Sequence, residues 1–345
     1  MNSSIQSAFR MRETRISEAL RAAAGRLSHR PGSGQWTFSL PGSATAAARA
    51  SLDGGWLVLQ VPVGNLAGEG AWAWLRRNTH LDGTLRFCLP AGGAAGVWLR
   101  DTIRLGAGQE AGMGRRVRSV CRSVTRTLAG LPGEGRTAAP QPPPAPAWIP
   151  PVVVSLQEVE VLCEQAGWRV RQAEEGRLRV DRENAASPCR ASLEARQDGT
   201  LRGEVILARS GPLAPASREA LGRLFLQLTA SLRVARGGTA QSRRGHLFFI
   251  EARVALSEGA ALLRQALADL ALACEQCVPE TGLLFDPVLA RLYLRSSGDE
   301  RAIRREREPE TERTAGEPAR IHQPTSRTRP GGRGRLDHGN SCFDF

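Results

Sequence analysis

Two cysteines three positions apart, Cys274 and Cys277 in "CEQC", have the spacing that suits a zinc site or a dithiol redox couple. A structural zinc needs two more ligands, and the sequence offers no second C-x-x-C and no neighbouring His pair. A redox pair belongs at a helix start, whereas this one ends a long apolar helical run, so it reads as packing at a helix end. The segment "GAGQEAGMG" (106–114) lies between a strand and a helix, where a dinucleotide loop would lie. Its spacing is G-x-G-x-x-x-G, and the next acid, Glu134, falls in a Pro/Gly-rich stretch, so it reads as a connection into the following helix. Five histidines stand singly, none paired with a Cys or with a G-x-S-x-G elbow. All 47 basic residues are arginine. That removes Walker-A, kinase, Schiff-base and S-x-x-K chemistry, each of which uses the lysine amine. No catalytic residue, metal or cofactor is nominated, and the chain is expected not to be an enzyme.

The charge pattern is more informative. Arg115, Arg118, Arg122 and Arg126 recur at steps of three and four, with Val117, Val120, Val124 and Leu128 on the opposite side of the same helical stretch. No acid interrupts it, and Arg116 widens it. Such a ridge is either a solvated face or a surface for phosphates or for an acidic protein, with salt-sensitive affinity. Tryptophans offer the other route to nucleic acid, by base stacking. Trp36, Trp56, Trp72, Trp74 and Trp98 alternate with apolar neighbours and read as core, except that Trp72 and Trp74 cannot both face inward on one helix, which leaves one as an exposed contact.

The elements that must position these residues fall into two bodies. A chain of 345 residues with net charge +13 is long enough for two domains with separate cores. "GLPGEGRTAAPQPPPAPAWIPP" divides them with an extended, Pro-rich linker, giving a first domain at 1–129, the linker at 130–151 and a second domain at 152–294. The remainder, 295–345, is rich in charge, Pro and Gly, and is expected to be a disordered tail with a short helix over "DERAIRRERE". The N-terminus has no signal-peptide pattern, and no run approaches the roughly 18 apolar residues of a membrane span. A soluble, cytoplasmic protein is expected, with its seven scattered cysteines as reduced thiols.

The two bodies repeat one another. In the first, helical spacing at Ile16, Ala19, Leu20, Ala23, Ala24 and Leu27 precedes three strands, a helix holding "AWAWLRR", two strands and the Arg-ridged helix. In the second, "SLQEVEVLCEQAG" opens the same order and "SEGAALLRQALADLALACEQC" closes it. "RASL" occurs in both, at 49–52 and 190–193, each time ahead of a turn signal, "LDGG" or "RQDGT", and a further strand. The reading is α+β: two tandem α-β-β-β-α-β-β-α units, with helices packed on antiparallel sheets.

That order, carried by "LQEVEVLCEQAGW", "CRASLEARQDGTLRGEVILA", "REALGRLFLQL", "HLFFIEARVAL" and "ALLRQALADLAL", resembles the fold of type III secretion chaperones and the related YbjN-like proteins. The resemblance covers about 140 residues in each body. It implies a non-enzymatic role in holding an extended segment of a partner protein. It also implies a dimer, which two copies in one chain would form internally, so that the chain needs no second copy. Binding of nucleic acid through the basic ridge is the alternative.

Overall fold

Strict alternation builds the strands: in Gln35–Ser39, Trp36 and Phe38 are buried while Gln35 and Thr37 are exposed. The computed structural model describes residues 2–24, 26–40, 47–90, 96–105, 112–131, 155–174, 176–182, 189–242 and 245–297. The first half runs α1 (Asn2–Ala23), β1 (Leu27–Arg30), β2 (Gln35–Ser39), β3 (Ala47–Asp53), β4 (Trp56–Asn65), α2 (Leu66–Asn78), β5 (Arg86–Cys88), β6 (Gly96–Arg104) and α3 (Met113–Ala129). The second runs α4 (Leu156–Gln165), β7 (Trp168–Glu174), β8 (Arg177–Arg182), β9 (Arg190–Ala195), β10 (Thr200–Ser210), α5 (Pro215–Ser231), β11 (Ala235–Ser242), β12 (Gly245–Ala255), α6 (Ala260–Leu283) and α7 (Pro287–Ser296). The proposed linker and tail, apart from their first residues, lie outside the described residues.

Both sheets are antiparallel and share one strand order, β1-β2-β3-β4-β6-β5 and β7-β8-β9-β10-β12-β11. The two "RASL" copies fall on β3 and β9, the third strand of each unit. Between β3 and β4, Gly54 and Gly55 take φ of 55° and 84°, which a two-residue hairpin joining Asp53 to Trp56 requires.

Each unit carries four strands before its middle helix, where three are expected from the sequence. In the second half the run "WRVRQAEEGRLRVDR" folds back at Gly176 (φ 75°) and becomes β7 and β8. In the first half β1 is four residues long, too short to display an alternation. A further helix, α7, follows α6; Asp286 caps it by accepting hydrogen bonds from the Val288 and Leu289 amides, with Pro287 in its first turn.

The halves meet through their middle helices and belong to one compact unit. Gly70 (φ 75°) breaks α2, so its regular part starts at Ala71, whose free N–H is donated to both Glu219 oxygens on α5 at 2.8 and 2.9 Å. At Gly222 of α5 a Cβ would stand 2.7 Å from the Trp72 amide nitrogen, so the absent side chain sets the approach of the two helices. Trp74 is buried against Phe87, while half-buried Trp72 packs edge-on against His246 and Phe248 of β12. Neither tryptophan is the exposed contact expected from the sequence, because the face of α2 that carries Trp72 is covered by β12 of the other half.

Arginines lock the junction reciprocally, as in an isologous dimer. Arg86 donates to the Leu232 carbonyl ahead of β11, and Arg236 donates to the Leu85 carbonyl ahead of β5, at 2.9 and 3.0 Å. Arg100 donates to Ala230 near the end of α5, and Arg253 to Thr79 at the end of α2. Among the described residues, no helix is long and apolar enough to cross a membrane.

Candidate functional site

The Arg-ridged helix folds as its spacing dictates. Met113, Val117, Cys121, Val124 and Leu128 of α3 are buried, Val120 is half-buried, and Arg115, Arg122 and Arg126 are exposed. Arg116 and Arg118 lie half-buried along the same helix. α3 packs beside α1, which turns Ile16, Ala19 and Leu20 inward and carries Arg10, Arg12, Arg15 and Arg21 on its solvent-accessible positions. The α1 contribution is visible only in the fold, because nothing in the sequence shows that α1 and α3 lie side by side.

Two carboxylates of α1 bear on this surface, and one is withdrawn from it. Glu13 is buried and accepts the Gly32 and Gly34 amides of the β1–β2 turn at 3.0 and 2.7 Å, with His29 at 3.4 Å. Burial alone would raise its carboxyl, but these donors hold it below the ordinary value. Glu18 is then the one exposed acid described on a helix pair that bears nine arginines. Guanidinium stays charged at any physiological pH and binds carboxylate or phosphate through paired N–H donors.

The corresponding pair in the second half has the opposite sign. α4 begins with a capping box between Ser155 and Glu158, and it carries Glu160 and Glu164 as well. α6 carries Glu275 and Glu280, and its Asp269 is buried, accepting the amides of Arg233, Val234 and Ala235. One arginine, Arg264, lies on these two helices.

Where the halves meet, a cleft of about 470 Å³ is lined by residues of both, including Asp82, Thr84, Arg116, Asp198, Arg253 and Glu258. Its charges alternate in sign, so it forms no focused field for an anion or a cation. Two buried carboxylates, Glu251 and Asp101, are not among its lining residues. Glu251, 1% exposed, is caged by Arg202, Arg236 and Arg253; burial would raise its carboxyl, and the three guanidinium groups hold it below the ordinary value. Asp101 accepts from Thr84 and from the Thr102 amide, and burial keeps its carboxyl raised.

The cysteines depart from expectation. Cys274 is disulfide-bonded to Cys189, with Cα atoms 6.1 Å apart, so these two are not reduced thiols, and the Cys277 side chain lies outside the described residues. Their sequence separation of 85 hides the pairing, which brings the residue just ahead of β9 to α6. Cys88, Cys121 and Cys163 are free and buried; burial pushes the Cys121 thiol up to about 11 and the Cys163 thiol up to about 12, far from a reactive thiolate. No group of three or more His, Cys, Asp or Glu able to hold a metal occurs among the described residues. Of the segment 106–114, residues 106–111 lie outside the described residues, and Gly112 stands at the N-terminus of α3.

The fold and this surface define a duplicated α+β protein that pairs its two units internally and turns a basic helix pair outward from one of them. No protein-family model matches the sequence, and no curated protein is similar to it.

Proposed function

We propose that this chain is a non-enzymatic binding module, adaptor-like or chaperone-like, whose α1–α3 face accepts an acidic segment of a partner protein. The observation that carries the reading is the face itself: nine arginines with a single exposed carboxylate, on two helices held by a packed sheet. The likeness in element order to type III secretion chaperones and YbjN-like proteins agrees with it. So does the internal pairing, which runs mainly through α2 and α5 and leaves Arg115, Arg122 and Arg126 of α3 exposed. A cytoplasmic location belongs to the same reading, and there the Cys189–Cys274 bond would form against a reducing poise.

A long polyanion is the poorer fit. The acidic α4–α6 pair of the same compact body would repel it, and among the described residues every tryptophan is buried or half-buried, with no exposed indole platform there for base stacking. Fluorescence anisotropy with a labelled Glu/Asp-rich peptide and, separately, a DNA duplex of equal charge separates the two. The peptide is expected to bind at low salt and to lose at least about tenfold in affinity when Arg122→Glu and Arg126→Glu are combined. Duplex binding without peptide binding would replace this reading with the nucleic-acid one, and peptide binding unaffected by the reversal would remove α1–α3 as the surface.

A further inference from the structure

The outward helix pairs of the two halves are complementary in sign and similar in extent. α3 is a helix of 17 residues with five arginines and no acid. On the other side, α4 spans 10 residues and α6 spans 24, and together they expose Glu158, Glu164, Glu275 and Glu280, with Glu160 half-buried. Each charged pair also carries an exposed apolar side chain: Met11 on α1 is 55% exposed, and Val161 on α4 is 51% exposed. Large apolar side chains left in water inside a charged helix face are what the centre of a protein contact consists of, with charges at its rim. Each pair is seated on its own sheet, α1 beside α3 and α4 beside α6.

We infer that the α1–α3 face of one chain accepts the α4–α6 face of a second copy, so that the protein self-associates by joining its first half to its neighbour's second half. The inference rests on reading α1–α3 as a contact surface, and it names one occupant of that surface. The two patches differ, so the contact is heterologous, and repetition adds copies unless the geometry closes. Most of the paired charges sit at the surface, where screening over about 8 Å at physiological ionic strength weakens them. Association is therefore expected to be weak, concentration-dependent and reversed by salt. An acidic partner would bind by displacing the neighbouring copy, which couples assembly to partner capture.

The test uses the full chain, freed of nucleic acid by nuclease, in sedimentation velocity at about 50 mM and about 500 mM salt. The wild-type chain is expected to grow in mass with concentration at low salt and to be monomeric at high salt. Arg122→Glu with Arg126→Glu reverses one face, and Glu160→Arg with Glu164→Arg reverses the other; each variant alone is expected to stay monomeric, with an unchanged circular dichroism spectrum. An equimolar mixture of the two variants is expected to associate again, because one retains the acidic face and the other the basic face. A wild-type chain that stays monomeric at low salt overturns the inference, as does association that both reversals leave intact, or a mixture that stays monomeric. If the wild-type chain is monomeric while the acidic peptide of the preceding section still binds, self-association alone fails and the binding reading stands.

Discussion

Arg86 and Arg236 take reciprocal places at the junction, yet the two halves treat them differently. Arg236 is met by the Glu251 carboxylate at 2.8 Å, together with the carbonyls of Leu81, Gly83 and Leu85. Arg86 is wholly buried and is met by carbonyls alone, those of Thr84 and Leu232, with Arg100 rather than a carboxylate opposite it on β6. Burial and then Arg100 depress the Arg86 guanidinium to about 10. The outer helices diverge further, to arginine-rich in one half and glutamate-rich in the other. A duplicated unit thus keeps its strand order and its mode of pairing while its charges drift apart. Backbone carbonyls at the ends of middle helices are supplied by the fold whatever the side chains are, whereas carboxylate partners depend on the residue at one position.

The largest break in this comparison is expected at Glu251. Glu251→Ala leaves Arg236 buried without its counter-charge and strips a partner from Arg202 and Arg253, at a cost of about 3–5 kcal/mol. Urea midpoints measure it. The first half has no equivalent carboxylate whose removal could cost as much. Gly222→Ala comes next: its Cβ would meet backbone of α2 at 2.7 to 2.8 Å, and the helices must separate, costing about 1–3 kcal/mol despite the better helix propensity of alanine. Loss of the close Trp72 environment, read by its fluorescence, should accompany it.

One buried carboxylate from each half sharpens the comparison through pH. Glu251 is held below its ordinary value of 4.5, so its contribution is fully present above that value and is lost as pH falls through the folded one. Asp101 is raised above its ordinary 3.8, so the folded state binds its proton more tightly, and stability is lost as pH rises from there through the folded value. Glu251→Gln should therefore flatten the acid limb of a stability–pH curve. Asp101→Asn, which keeps the Oδ1 acceptor for Thr84 and Thr102, should gain relative to the wild type as pH rises. Identical pH profiles for the two variants would contradict the distinction. The smallest stability effects belong to the outer faces: Arg122→Ala or Glu164→Ala should change stability by less than about 0.5 kcal/mol.

Much of the architecture is legible in the sequence, because alternation in β2 and β10, the 3.6-residue stripe of α3 and the glycine turns after both "RASL" copies are local signals. The duplication is legible for the same reason. What is hidden depends on distance along the chain or on brevity. β1 has only four residues, β7 and β8 merge into one apolar-polar run, and the Cys189–Cys274 bond joins positions 85 apart. Arg115 to Arg126 can be read as a ridge from spacing alone, but its extension over α1 cannot. Glu158, Glu160 and Glu164 are visible as an acidic run, and their meaning comes from sharing a surface with α6, which packing alone decides.

The central claim is that the two units form one body through α2 and α5, leaving only their outer helices free to specialise. Tryptophan placement allows a direct test once Trp148, outside the described residues, is replaced by Phe, since Trp36, Trp56, Trp72, Trp74 and Trp98 then report on the first half and Trp168 on the second, while far-ultraviolet circular dichroism reports on both. Urea unfolding followed by the two signals should give one transition with a shared midpoint, and Gly222→Ala should shift both signals together. A fluorescence transition that separates from the circular dichroism transition in the Trp148→Phe chain would mean that the halves unfold independently, and it would contradict the account.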